Sequence, residues 1–140
     1  MAFRKDDAGK PRMSLLPHEA LMGAAEVMTY GAQKYDDHNW RQATEWSRYY
    51  DATMRHLMDW QMGKEVDDGP KGSGLATIDH AVCSLLMLSS LIKTGVGTDD
   101  RYGTSGTTSY QAPASPRRAK PRPAEPVVRG KGQRRKSRGA

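Results

Sequence analysis

The sequence predicts an all-α protein: a small antiparallel helical bundle followed by a disordered basic tail. Three observations carry this expectation. Apolar residues recur at helical spacing in three separate stretches. A glycine follows each stretch, at Gly31, Gly63 and Gly95, where a helix commonly stops. Beyond Val96 the pattern dissolves into Gly/Ser/Thr-rich and then Pro/Arg/Lys-rich sequence, with too few apolar residues to offset chain entropy.

Residues 1–13 are polar and expected to be extended, with Lys5, Lys10 and Arg12 available to solvent or an anion. Pro17 suits a helix start, Glu19 complements its positive end, and Leu21, Ala25 and Met28 form one stripe, so the first helix is expected at about 17–30. The next segment, GAQKYDDHNWRQAT, reads as a polar loop with two aromatics. The second helix is expected from Thr44 or Glu45 to Met62. Tyr50, Met54, Leu57 and Gln61 share one face, widened by Met58; Tyr49, Thr53, His56 and Trp60 share another. The loop GKEVDDGPKGSG is too rich in Gly and Pro for regular structure. The third helix, about Leu75–Thr94, is apolar round much of its circumference and should be the central, most buried one. Its polar line, Thr77, His80 and Ser84, must find partners.

The overall formal charge of +6 hides a division. Residues 98–140 hold eleven Lys/Arg and three Asp/Glu, whereas residues 1–97 hold eleven and thirteen. The expected domain line therefore falls at 97, with a slightly acidic helical domain at 1–97 and a tail at 98–140. A tail of that charge can hold nucleic acid through phosphates without sequence preference. A core this small, with a third helix so apolar, also points to a homo-oligomer. A single cysteine, Cys83, excludes an intrachain disulfide and reads as a buried apolar residue. The charged start lacks a signal-peptide core, and the longest apolar run, near 84–92, is too short to span a bilayer. A cytoplasmic protein with no membrane partner is expected.

Chemistry-bearing residues gather around the second and third helices. His56 and His80 lie near Asp59 and Asp79, and the loop adds Glu65, Asp67 and Asp68. Carboxylates and histidines at one end of a helical hairpin suit a divalent cation, which takes one or two carboxylates plus substrate phosphates. The ordinary alternatives are a packed histidine and a solvated acidic loop. Lys34, Tyr35, Asn39, Trp40 and Arg41 are unusual for a spacer: flat rings can stack on a base and cations can hold phosphates. Equally, such aromatics can anchor a loop to the core.

The segments KPRMSLLPHEAL, YGAQKYDDHNWR, YYDATMRHLMDWQMGKEVD and SGLATIDHAVCSLLML, in this order, resemble a phage family of dATP/dGTP diphosphohydrolases related to the MazG-type nucleoside triphosphate pyrophosphohydrolases. The resemblance spans roughly residues 10–92. It implies an all-α, MazG-like hydrolase that splits a deoxynucleoside triphosphate into monophosphate and pyrophosphate with Mg²⁺ or Mn²⁺. On that reading Glu65, Asp68 and His56 are catalytic, and Asp59, Glu65, Asp68 and His80 ligate the metal. Lys34, Arg55 and Arg12 hold phosphates, Trp40 or Tyr35 stacks on the base, and Asn39 reads its edge. The chain departs from the resemblance in three ways: its E-x-x-D spacing, Glu65 to Asp68, falls in a loop, Thr77 stands where the family carries a further histidine, and the Gly63-Lys64-Glu65 of the loop carries an extra residue before its acid. A non-catalytic accessory protein, with a helical oligomerisation module and a nucleic-acid-binding tail, is the competing expectation.

Overall fold

The computed structural model describes residues 5, 7, 9–42 and 45–103. The chain divides into a unit spanning Lys10–Ala114 and a second formed by Met1–Gly9 with Ser115–Ala140. Of the second, only Lys5, Asp7 and Gly9 are described, with Lys5 and Asp7 paired at 3.8 Å. The expected tail, from residue 104 onward, lies outside the described residues, as do residues 1–4, 6 and 8 of the N-terminal segment.

The described residues of the Lys10–Ala114 unit are all-α. Helices α1 (His18–Tyr35), α2 (Ser47–Gln61) and α3 (Thr77–Thr94) are accompanied by short 3₁₀ turns at Met13–Leu15 and Asn39–Arg41 and by a long α2–α3 loop. Among the described residues there is no strand, only two isolated bridges. Helix α3 packs against both α1 and α2 and contributes the largest share of fully buried side chains, including Ala81, Cys83 and Leu91. Ala24 and Val27 of α1 meet Cys83 in a small core, flanked by Met28, Leu75, Val82 and Met87. Gly23 lets α1 approach α3 closely: a Cβ there would overlap the Asp79 carboxylate.

α2 and α3 run antiparallel. His56, late in α2, stacks on His80, early in α3. At the opposite end, Trp46 donates through Nε1 to the Val96 carbonyl at 2.8 Å and through its amide to the Thr98 carbonyl at 3.0 Å. Asp100 then accepts from the Ser47 amide at 2.9 Å and from its hydroxyl. A carboxylate thus serves the first open N–H group of α2 from 53 positions away along the chain. Contacts of the helical unit therefore continue past position 97.

Four local expectations need correction. Helix α1 passes through Gly31 and ends at Asp36, because one glycine costs a helix only about 1 kcal/mol and Ala32, Gln33 and Lys34 are good helix formers. α2 starts at Ser47, where the Asp100 cap lies. α3 starts at Thr77 rather than Leu75, because Leu75 and Ala76 are held in the preceding loop. That loop is ordered as a narrow hairpin: Asp67 N–H donates to Leu75 O at 2.8 Å, Gly74 N–H to Asp67 O at 2.9 Å, and Thr77 N–H to Glu65 O at 2.9 Å. The two faces of α2 also part company. Tyr49, Thr53 and His56 turn inward, while the more apolar face, Tyr50, Met54, Leu57 and Met58, stays exposed.

Candidate functional site

A cavity of about 760 Å³ opens between the C-terminal half of α1, the turn at 36–41, α2, α3 and the hairpin. Its inner wall is apolar, from Val27, Met28, Cys83 and Met87. Burial pushes the Cys83 thiol up to about 11, so it stays protonated and takes no part as a nucleophile.

Two histidines stand on the wall between α2 and α3. The His56 and His80 rings stack with centroids 4.9 Å apart and planes 29° apart. Their Nε2 environments differ. His80 Nε2 lies 2.7 Å from Ser73 Oγ and 3.6 Å from Asp67 Oδ2. Leu75 N–H donates to that same Ser73 oxygen at 3.1 Å, and Ser73 N–H donates to Asp67 at 2.9 Å. Ser73 Oγ, which accepts from Leu75, makes a second hydrogen bond with His80 Nε2 whose direction the ring tautomer sets. No hydrogen bond ties the His56 ring among the described residues. Burial, reinforced by the nearby His80, holds its pKa below the ordinary 6.5, so His56 is neutral at pH 7. Burial alone would raise the Asp67 carboxyl. The two Ser73 hydrogen bonds and the nearby His80 and Lys64 outweigh it and hold the group below its usual value, so Asp67 is ionised.

The other wall carries the aromatics. The ring of Trp40 lies under the Arg41 guanidinium at 4.3 Å, and that of Tyr35 under Lys34 Nζ at 4.9 Å. Tyr49 O–H donates to the Trp40 carbonyl at 3.1 Å, and burial keeps this phenol protonated. The hydrogen bond to Tyr35, and then its charge, raise the Lys34 ammonium above its ordinary value.

Between α1 and Trp40 the backbone is strained. Asp36 has φ 74° and ψ 157°, a region open almost only to glycine, and His38 sits at φ 60°. Both line the cavity. Holding Asp36 there is expected to cost stability while aiming Asn39 and Trp40. Asp36→Gly should therefore raise stability by about 1 kcal/mol in urea denaturation, while the KM for any nucleotide substrate rises because the turn is less fixed.

The residues singled out by sequence divide accordingly. Lys34, Tyr35, Asn39, Trp40, His56 and His80 line the cavity together. Glu65, Asp68, Asp59, Arg55 and Arg12 are not among its lining residues. Asp59 and Asp68 flank Lys64 at 4.0 and 3.5 Å, and Glu65 enters the hairpin through its carbonyl. Arg12 and Arg55 are exposed. Among the described residues, no group of three or more His, Cys, Asp or Glu is arranged to hold a metal ion, so the set Asp59, Glu65, Asp68 and His80 does not fit as a ready-made cage.

Sequence reasoning passes over Asp67 as one acid of three, over Lys71, Tyr30 and Tyr49 as cavity residues, and over Ser73 as the partner of His80 and Asp67. The missing piece is the Val66–Ala76 bridge. An extended segment alternates its side chains, so Asp67 faces His80 while Asp68 faces Lys64. The polar line of α3 is satisfied in part: His80 has Ser73 and Ser84 lines the cavity, but the buried Thr77 hydroxyl has no hydrogen-bond partner among the described residues.

No curated protein and no solved structure gives a significant match to this chain. A family described as dATP/dGTP diphosphohydrolase, N-terminal, matches residues 2–101. That span takes in all three helices, the cavity and the Asp100 cap, and the chain belongs to this dATP/dGTP diphosphohydrolase N-terminal family.

Proposed function

We propose that the cavity hydrolyses a deoxynucleoside triphosphate, with dATP and dGTP as the leading substrates, to the monophosphate and pyrophosphate. The observation that carries the reading is a juxtaposition: a free, neutral imidazole, a stacking wall and two lysines share one cavity within the family's matched residues. The purine lies against Trp40, with Asn39 at its edge and Tyr35 beside it. Lys34 meets the phosphates. His56 removes a proton from water as the water oxygen bonds to the α-phosphorus; the α–β bridging bond breaks and its electrons leave with pyrophosphate. Asp67 and Asp59 favour the imidazolium that forms on His56. His80 backs the His56 ring and is itself held by Ser73.

Mg²⁺ or Mn²⁺ belongs to this proposal as the counter-ion of the substrate. The lining holds three carboxylates, Asp36, Asp37 and Asp67, against two lysines, Lys34 and Lys71. Such a cavity repels a bare triphosphate, so the polyanion enters as a metal complex. Kinship with MazG-type enzymes, a phage origin and action in the host cytoplasm complete the reading. No helix among the described residues is long and apolar enough to cross a membrane. Homo-oligomerisation is proposed on the exposed Tyr50–Met58 face of α2 and on Leu85 and Leu86 of α3. Non-specific nucleic-acid binding is proposed for the basic tail. A deletion testing it should begin after Gly103, since a cut after Val96 removes Thr98 and Asp100 from the start of α2.

Incubation of the full chain with each deoxynucleoside triphosphate and Mg²⁺ or Mn²⁺, with pyrophosphate as the readout, tests the function. Pyrophosphate from dATP or dGTP is expected. Its absence with all four substrates and both metals would contradict it.

A further inference from the structure

Lys71 looks ordinary in the sequence, a lysine between Pro70 and Gly72 in a loop. The hairpin gives it a defined place. The Gly72 amide donates to Gly69 O at 3.1 Å, closing the tip, and Gly72 sits so close to the opposite arm that a Cβ there would lie 2.7 Å from the Asp68 carbonyl carbon. Tyr30 O–H, from α1, reaches the Lys71 carbonyl at 3.4 Å, so the tip is drawn to the cavity wall. Lys71 thus lines the cavity from the loop side, as Lys34 does from the last turn of α1. The loop's other lysine is engaged differently: Lys64 faces Asp59 and Asp68 and is not among the lining residues. No ion pair occupies Lys71 or Lys34 among the described residues.

Two unpaired ammonium groups brought to one cavity from separate elements match the charge of a condensed phosphate chain better than that of a nucleoside. We infer that Lys71 and Lys34 form a clamp for the β- and γ-phosphates of the substrate, with Lys71 the residue that holds the departing pyrophosphate end. This rests on the functional reading above and adds a direction to it: base toward Trp40, polyphosphate toward the hairpin tip, and the α-phosphorus beside His56.

Calorimetric titration of the full chain with inorganic tripolyphosphate and Mg²⁺ tests the clamp, in enough salt to screen attraction to the basic tail. Lys71→Ala should weaken binding about tenfold or more, Lys71→Arg should retain most of it, and Lys64→Ala should leave it unchanged. In a hydrolysis assay, Lys71→Ala should raise the KM for the triphosphate more than it lowers kcat. Wild-type affinity for tripolyphosphate in Lys71→Ala would overturn the clamp, as would an equal loss in Lys64→Ala. The two readings fail separately. A Lys71-dependent tripolyphosphate site in a protein that hydrolyses no nucleotide supports the clamp and removes the enzyme. Hydrolysis with an unchanged KM in Lys71→Ala removes the clamp and leaves the enzyme.

Discussion

Replacing His56 with glutamine should lower turnover of the deoxynucleoside triphosphate by about 10²–10⁴-fold, the usual worth of a positioned general base. Glutamine keeps much of the volume and packing against His80 but takes no proton. Circular dichroism should therefore be unchanged while pyrophosphate release falls. The same group sets a pH dependence. Burial depresses the His56 pKa, so the basic form persists below the ordinary 6.5, and the acid limb of kcat/KM, which reports the free enzyme, should lie below that value. Stability responds in the same window. Below 6.5 the unfolded chain takes up a proton at this position before the folded chain does, so stability should fall as pH drops through that window. In His56→Gln this part of the pH dependence should disappear. Undiminished turnover in the variant would remove His56 from the chemistry.

Gly72→Ala should be nearly as damaging for a different reason. The added methyl would overlap the Asp67 carbonyl and crowd the Asp68 backbone, where no flexible side chain can move aside. The hairpin must open, at a cost of about 1–3 kcal/mol. Ser73, next in sequence, would then leave His80, Asp67 would lose the Ser73 amide, and Lys71 would leave the cavity wall. Misplacement on the scale of an ångström is enough to lower turnover about 10²-fold. The helical content of α1, α2 and α3 should remain. Full activity in Gly72→Ala would show that the hairpin tip is not part of the site.

The helices are legible in the sequence because their cause is local. Apolar spacing over 17–30 and the stop at Gly95 need no knowledge of the rest of the chain. The expected stripe is nevertheless misplaced: Leu21 and Ala25 are exposed, and Gly23, Ala24 and Val27 form the buried face of α1. Helix ends are less legible where distant residues set them. The start of α2 depends on Asp100, more than fifty positions away, and the start of α3 on a bridge between Val66 and Ala76. The aromatic and basic half of the site is legible for the same local reason: Lys34 to Trp40 is one short segment, and it stays together on the cavity wall. The acidic half is not. Glu65, Asp67 and Asp68 look equivalent as a cluster, and only the alternation within the hairpin decides that Asp67 meets His80 while Asp68 meets Lys64. The inward turn of the Tyr49/Thr53/His56 face of α2 is likewise unreadable from periodicity, since the opposite face is the more apolar one.

The central claim is that this cavity, rather than the cluster of Asp59, Glu65 and Asp68 or the basic tail, receives the nucleotide. Amide hydrogen exchange of the full chain, with and without a non-hydrolysable dATP analogue and Mg²⁺, tests it most directly. Slower exchange is expected in two separate stretches, from Tyr30 to Arg41 and from Asp67 to Ser73, with little change at Lys5–Arg12. Exchange unaltered in both stretches at saturating analogue, or slowed only after Gly103, would contradict the assignment.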